Sequence, residues 1–404
     1  MHVVMFADQH LESLGGAQVS MRLQRRFLER AGHTVTVVAP RMHRPAPTDP
    51  AFVDTPSIAI TPDREYALTW PGARTDRFVD AALSRRAPVD VVHVQGDFWG
   101  AFIGHRYAAR HGLPVVHTMH NRVDVGIEAT APFPNVVLRV LNAWARRALR
   151  PVPRPDADAA GAVDGWAYLR RLAALSQAVT APSAHFARRL RRHGATPASG
   201  QVDVVWNGID DGLLDEARAA GSTTRRPGRP RFVWLGRMSP EKRLLPFLEA
   251  VAESGVDADI EIVGGGAQLH AAQRLVARRR PVASVVFSGR LAYADTLARL
   301  ADADAVVQTS IGFETQGMTV FEAASLGTPS VVSDPDIADE LGGGVWAVPD
   351  ATVSGLAETL RRAAFDIAAG APVAVDATIA ERFRQSSRTA AMIEVYERAI
   401  ARGR

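Results

Sequence analysis

Ala305-Val-Val-Gln-Thr309, followed after a short gap by Phe313-Glu-Thr-Gln-Gly-Met-Thr-Val-Phe-Glu322, is a short apolar run that delivers a polar loop into a helical segment. Four apolar or β-branched residues in five, ending in a Gly-containing loop, predict a buried strand, and the segment after Gly317 predicts a helix. Glu314 lies before that helix and Glu322 about one turn inside it, so two carboxylates face one mouth. Between them Gly317 lets backbone N–H groups approach a ligand closely, and a helix N-terminus favours an anion such as phosphate. The stretch therefore reads as a strand–loop–helix unit that clamps a ligand carrying both hydroxyls and phosphates.

The same unit recurs along the chain. Strands are predicted at Val3 to Ala7, Thr34 to Ala39, Val89 to Val94, Pro114 to Thr118, Ala178 to Ala181 and Val202 to Trp206. Helices are predicted at Ala17 to Arg30, Thr75 to Arg86, Phe98 to His111, Asn135 to Leu149, Trp166 to Leu175 and Ser183 to His193, with Gly32 closing the first. The rhythm resumes with strands at Phe232 to Leu235, Ile260 to Val263, Ser284 to Phe287, Ala305 to Thr309, Ser330 to Val332 and Val345 to Val348. Such alternation predicts an α/β fold of two Rossmann-like halves. A hinge near Asn207-Gly208 sets the expected domains at 1–206 and 207–378. A last helix, about Ile379 to Arg402 within 379–404, is expected to return to the first domain. Two polar, Pro-containing runs, Pro151 to Ala160 and Gly221 to Pro230, read as loops.

Composition narrows the class. A chain of 404 residues, 47% hydrophobic, suits two domains of about 150–200 residues each. The absence of cysteine excludes disulfides, thiolate metal sites and a cysteine nucleophile. A formal charge of +4 gives no ground for a nucleic-acid partner. The chain opens directly on a strand-like run, which makes a cytoplasmic location the expectation, and no apolar run approaches the ~20 residues of a membrane span.

Candidate chemistry gathers in the second half. Gly236-Arg-Met-Ser-Pro-Glu-Lys-Arg243 follows a strand, and the guanidinium fork of Arg237 with the point charge of Lys242 suits a departing diphosphate. A solvated basic turn pairing with Glu241 has the same sequence. Gly264-Gly-Gly266 after Ile260 to Val263 suits close backbone approach to a ligand, or merely a flexible turn, and lacks the G-x-G-x-x-G spacing. Asp-Ala-Asp triplets at Asp156, Asp257 and Asp302 read as solvated loops. His117 and His120 follow a strand end where α/β ligand sites lie, without an evident third metal ligand. Glu314 and Glu322 also fit the acid and base of a glycoside hydrolase, but the basic residues and glycine turn beside them suit a phosphorylated donor better.

In order and spacing, Val205-Trp-Asn-Gly-Ile-Asp210, Gly236 to Arg243, Ile262-Val-Gly-Gly-Gly266, Phe287-Ser-Gly-Arg-Leu291 and Glu314-x7-Glu322-Ala-Ala-Ser-Leu-Gly-Thr-Pro329 resemble the retaining glycosyltransferases of family 4. The resemblance covers nearly the whole chain. It implies the GT-B fold, two Rossmann-like domains facing across a cleft, and transfer of a hexose from a UDP- or GDP-sugar without a metal or other cofactor. Arg237 and Lys242 would hold the diphosphate, Glu322 the ribose hydroxyls, and Glu314 the transferred sugar, helped by backbone N–H groups around Gln316, Gly317 and Met318. Arg290 and Leu291 fall where the nucleobase is held, with Gly265 in the neighbouring turn. Gly15 and Gly16 match the glycine loop of the first domain, and His120 a sugar-contacting histidine, with His117 as the competing assignment. Thr315-Gln316 is similar to bacterial enzymes that glycosylate diacylglycerol. The basic amphipathic segments Val136 to Arg150 and Ala184 to Arg192 suit an anionic membrane surface, or bury their apolar sides within the domain. The acceptor would be a lipid or another glycan. A nucleotide-sugar epimerase and a non-catalytic sugar-binding relative remain the alternatives.

Overall fold

A computed structural model describes residues 1–13, 15–45, 48–153, 163–220 and 228–403. The loop readings at Pro151 to Ala160 and Gly221 to Pro230, and the triplet at Asp156, fall mostly or wholly outside these residues. Two units divide the chain, one formed by Met1–Gly208 with Gln385–Arg404 and the other by Ile209–Arg384.

In the first unit, Val3, Val4, Met5 and Phe6 are each no more than 1% exposed. A strand covered on both faces carries an unbroken apolar run instead of alternating, which is why parallel strands dominate here. The sheet has seven parallel strands in the order Phe52–Thr55, Thr34–Pro40, His2–Phe6, Val91–Val94, Val115–Thr118, Ala178–Ala181 and Val202–Val204. Strand order reverses between His2–Phe6 and Val91–Val94, in register Val3 to Val91 through Phe6 to Val94. Loops leaving the carboxyl ends of two such strands diverge and open a crevice, the usual ligand position of an open α/β sheet. The helix Gln385–Gly403 belongs to this unit and buries Met392, Val395, Tyr396 and Ala399 against Val3, Met5, Val35 and Val116.

The second unit holds six parallel strands in the order Ser284–Gly289, Asp259–Gly265, Arg231–Arg237, Ala305–Gln308, Ser330–Val332 and Val345–Ala347. Its reversal lies between Arg231–Arg237 and Ala305–Gln308. Both loops singled out in the sequence, Gly236 to Arg243 and Thr309 to Gly317, leave the strands at that reversal. Every predicted strand is present within two residues of its expected ends. The α/β class with two Rossmann-like halves is the observed fold.

Several elements escaped the sequence reading, among them the second-unit helices Asp211–Ala220, Leu244–Ser254, Leu269–Arg279, Tyr293–Asp302, Pro335–Leu341 and Val353–Ala368. The edge strand Phe52–Thr55 and the short antiparallel pair Ile58–Ala59 with Ala67–Leu68 sit among prolines and polar residues that mask period-2 patterning. The helix Val123–Thr130 is too short for its 3.6-residue period to register.

Candidate active site

In the second unit, Trp234 and Thr309 anchor the two loops at the reversal point. Trp234 and Thr309 are each 2% exposed, and the indole Nε1–H donates to Thr309 Oγ1 at 2.9 Å. The Thr309 hydroxyl in turn donates to the Lys242 carbonyl at 2.6 Å. Arg243, in a left-handed conformation at φ 54°, then turns the chain into the helix Leu244–Ser254. The Lys242 ammonium meets Glu314 Oε1 directly, and Ser310 Oγ donates to the same oxygen at 2.6 Å. The structure thus brings together Lys242 and Glu314 across 72 residues of sequence. Arg237 stands apart from them. Its side chain is 67% exposed and pairs with Glu241 at 3.1 Å, an exposed i,i+4 pair weak enough to exchange for a phosphate.

Gly317 caps the helix Met318–Ser325 at φ 81°, a left-handed conformation glycine adopts without strain, and a Cβ there would lie 2.8 Å from Ile337 Cδ1. Gly317, as the cap residue, has no side chain to occupy the first N–H groups of this helix, and a helix N-terminus favours an anion. Gln316 is buried, and Met318 is half-buried at the first turn. Glu322, one turn in, is 6% exposed. Tyr293 OH donates to its Oε1 at 2.8 Å. Burial pushes the Glu322 carboxyl up to about 7, a rise that the tyrosine hydrogen bond partly offsets.

The glycine turn has a structural cause of its own. At Gly264, φ 126°, a Cβ would lie 2.0 Å from the Gly236 carbonyl oxygen, and at Gly266 2.7 Å from that of Met238. Two adjacent parallel strands meet there with no room for side chains, and Met238 N–H donates to Gly265 O at 2.9 Å. Gly265 lies beside the Arg290 side chain, whose Nε would be 3.4 Å from a Cβ there, and Arg290 is exposed with Leu291 half-buried next to it. Asp257 pairs with Arg229 at 2.6 Å and Asp302 with Arg231 at 2.5 Å, which gives both aspartates an ion-pair role.

At the reversal point of the first unit, Asp97 is fully buried and satisfied by its neighbours. Its Oδ2 accepts from the His120 N–H at 3.1 Å, the Asn121 N–H at 2.9 Å and Asn121 Nδ2 at 2.7 Å. His117 Nε2 donates to Gly96 O at 2.9 Å and reaches Asp97 Oδ1 at 3.2 Å. Burial would raise the Asp97 carboxyl, but His117, His120 and Asn121 outweigh it and hold the group below the usual range. His117 is fully buried, whereas His120 is half-buried, with Nε2 against Gln95 Oε1 at 3.0 Å. Burial lowers the His120 pKa, helped by His117 and opposed by Asp97, which favours the neutral ring.

Asp8, at the end of the adjacent strand, accepts backbone N–H groups from Asp97 at 2.7 Å and Gly100 at 2.8 Å and so caps the helix Trp99–His111. Burial and the Asp97 charge push it up to about 7 against those hydrogen bonds. Gly15 and Gly16 are exposed at the start of the helix Gly16–Arg30, and among the described residues a Cβ on Gly16 would meet nothing within 4 Å. Sequence reading missed Asp8, Asp97, Thr309, Ser310 and Tyr293. Only the positions of Asp8 and Asp97, directly after strand candidates, offered a signal.

The two basic segments behave differently. The helix Ala184–Arg192 buries His185, Phe186, Ala187 and Leu190, leaving its arginines outward. The helix Pro134–Ala148 buries Leu138, Leu141 and Ala145 yet exposes Val136 by 57%, Val137 by 40% and Val140 by 63%, and Phe133 just before it is 71% exposed. Arg139, Arg147 and Arg150 are exposed beside that stripe. Among the described residues, no helix is long and apolar enough to cross a membrane.

The chain matches the model of the glycosyltransferase family 4 domain over residues 14–213 and that of glycosyl transferases group 1 over residues 229–366. It is 28% identical over 342 residues to a GDP-mannose-dependent alpha-mannosyltransferase of Mycolicibacterium smegmatis, covering 83% of this chain and 80% of that one. It is 22% identical over 338 residues to an alpha-monoglucosyldiacylglycerol synthase of Streptococcus pneumoniae, covering 82% and 70%. Among solved structures, a sucrose-phosphate synthase from Thermosynechococcus elongatus superposes with a TM-score of 0.71 at 17% identity over the full length of both chains. The Anabaena protein HepE, solved with UDP and glucose, gives 0.64 at 16% identity, covering 98% of this chain and 99% of that one.

Proposed function

The chain belongs to the family 4 glycosyltransferases, with the two Rossmann-like domains of the GT-B fold, and from that premise we propose that it is a retaining hexosyltransferase using a UDP- or GDP-sugar. The observation that carries the reading is the constellation at the second reversal point. Lys242 and Glu314 meet at the mouth of a helix whose cap residue is glycine, and Glu322 lies buried one turn inside it. A diphosphate seated on that N-terminus would draw Lys242 from Glu314 and Arg237 from Glu241 as negative charge grows on the leaving group. Glu314, released, would orient hydroxyls of the transferred sugar with the N–H groups of Gln316, Gly317 and Met318. Glu322 would take the ribose hydroxyls, while Arg290, Leu291 and Gly265 would lie along the nucleobase.

In the first unit, His120 is the half-buried histidine and carries the proposed sugar contact, whereas His117 serves Asp97 from within the core. Gly15 and Gly16 would lie along the donor phosphates. Substitution on one face of the sugar retains the anomeric configuration, with a donor phosphate oxygen taking the acceptor proton, so neither glutamate acts as nucleophile and no metal is needed.

For the acceptor we propose a membrane lipid or glycolipid at the inner face of the plasma membrane. The exposed stripe of Phe133, Val136, Val137 and Val140 beside exposed arginines supports contact with an anionic bilayer. The mannosyltransferase relative lends weight to a GDP-sugar, and the diacylglycerol relative to both a glucosyl donor and a lipid acceptor.

Incubation with UDP-glucose and GDP-mannose, with diacylglycerol and glycolipid acceptors, followed by NMR of the product's anomeric proton, tests the reading. Product retaining the donor's α configuration is the expected result, and an inverted anomer would overturn the mechanism. Epimerised donor formed without acceptor would replace the transferase assignment. Arg237→Ala should lower turnover, and unchanged turnover together with unchanged donor affinity would remove the diphosphate role.

A further inference from the structure

Tyr293 lies two residues beyond Leu291, at the start of the helix Tyr293–Asp302, and is only half-exposed. Its hydroxyl donates to Glu322 Oε1 at 2.8 Å, linking two helices that pack side by side. Among the described residues Tyr293 is the hydrogen-bond partner of that carboxylate, and Glu322 itself is buried in the helix Met318–Ser325. A carboxylate with one oxygen tied has its plane fixed, and the second oxygen is then presented in a single direction. We propose that Tyr293 is a positioning residue for the nucleotide-sugar donor, holding Glu322 by Oε1 so that Oε2 is aimed at the ribose hydroxyls. This rests on the assignment of Glu322 to the ribose.

The geometry has a consequence for pH. Glu322 stands at about 7 because burial raises it and the tyrosine hydrogen bond lowers it. Other charged groups sit on the neighbouring helices, Asp295 and Arg299 on Tyr293–Asp302 and Glu381 and Arg382 on Thr378–Phe383, but burial and Tyr293 are the influences on the carboxyl. The ionised carboxylate accepts both ribose hydroxyls, so nucleotide affinity should rise with pH through about 7. Without the tyrosine hydroxyl the carboxyl moves up further, and that rise should shift to higher pH.

Isothermal titration of the full chain with UDP and with GDP, from pH 6.5 to 9, tests this in wild type, Tyr293→Phe and Glu322→Gln. The ratio of wild-type to variant affinity at each pH cancels the titration of the nucleotide phosphates. We expect Y293F to bind about tenfold more weakly near pH 6.5 and only about threefold more weakly at pH 9, the scale of a hydrogen bond to a charged group. E322Q should weaken binding most at high pH. A Y293F ratio of one, or one constant with pH, would overturn the positioning role while a weakened E322Q kept the ribose assignment standing. If E322Q bound both nucleotides as wild type does, the ribose assignment itself would fall. Tyr293→Gln, which keeps an N–H donor near Glu322, should recover part of the low-pH affinity and carries the test if Y293F does not fold; no recovery over Tyr293→Leu would then refute the proposal.

Discussion

Replacing Thr309 by valine keeps the shape of a side chain that is 2% exposed but removes both of its hydrogen bonds. The Trp234 indole N–H, 2.9 Å from Thr309 Oγ1, loses its acceptor inside the core, and the Lys242 carbonyl loses a donor at 2.6 Å. An unsatisfied buried donor costs about 1–3 kcal/mol and each lost net hydrogen bond about 1 kcal/mol, so T309V should destabilise the second unit by about 2–4 kcal/mol. Thr309→Ser keeps the hydroxyl and deletes one methyl, worth about 1 kcal/mol. Urea denaturation of the full chain, with hydrogen exchange read on peptides covering 231–237 and 305–308, assigns the loss to the second unit. Because the Lys242 carbonyl is the latch point of the loop that delivers its ammonium to Glu314, turnover should fall in T309V and stay near wild type in T309S. A T309V stability within about 0.5 kcal/mol of wild type, or a larger loss in T309S than in T309V, would refute the reasoning.

Three further outcomes are expected. Gly264→Ala, with its Cβ 2.0 Å from a backbone oxygen, should abolish folding of the second unit, while Gly16→Ala, with nothing among the described residues within 4 Å, should leave the melting temperature unchanged and weaken donor binding; circular dichroism and a nucleotide titration check both. Burial holds His93, His105 and His120 below their unfolded value of about 6.5, so the unfolded chain binds more protons below that pH and stability falls as pH drops from about 6.5. Asp8, raised to about 7 in the fold, acts in the opposite sense, because it favours the folded state as pH falls from about 7 toward its unfolded value. His105 has both ring nitrogens buried without hydrogen-bond partners among the described residues, so His105→Leu should gain stability over wild type by more at pH 5 than at pH 8, in a comparison that cancels Asp8; an equal gain at both would contradict the protonation argument. Val136→Glu with Val140→Glu should weaken sedimentation with phosphatidylglycerol vesicles by about tenfold at unchanged fold, and unaltered sedimentation would remove the stripe from the membrane contact.

The strands were legible because each is short, apolar and buried on both faces, so composition alone marks it. Ala178–Ala181 and Ser330–Val332 are fully buried and read to the residue. Phe52–Thr55 was not, since only part of it is buried and prolines stand on either side. At the candidate site, residue types that carry chemistry on a loop or a helix start were visible, as with Lys242, Glu314 and Glu322. Residues that act by holding those groups were not. Thr309, Tyr293 and Asp97 are ordinary hydroxyls and an ordinary carboxylate until the fold sets them against partners 67, 29 and 20 residues away. His93 shows the limit, since its Nδ1 meets the Tyr396 hydroxyl across 303 residues. Nothing local predicts that pairing.

The same pairing bears on how the protein is made. The first unit is broken in sequence: its chain leaves at Gly208 and returns at Gln385, and the returning helix supplies Met392, Val395, Tyr396 and Ala399 to the core. A ribosome releasing the chain from the N-terminus therefore completes the Ile209–Arg384 unit while the earlier one still lacks part of its interior. Until the last helix emerges, Val3, Met5 and Val116 keep an uncovered apolar face and His93 lacks the Tyr396 hydroxyl. Maturation of the N-terminal half thus waits for the helix Gln385–Gly403, and the nascent chain passes through an intermediate whose exposed sheet face is a target for chaperones.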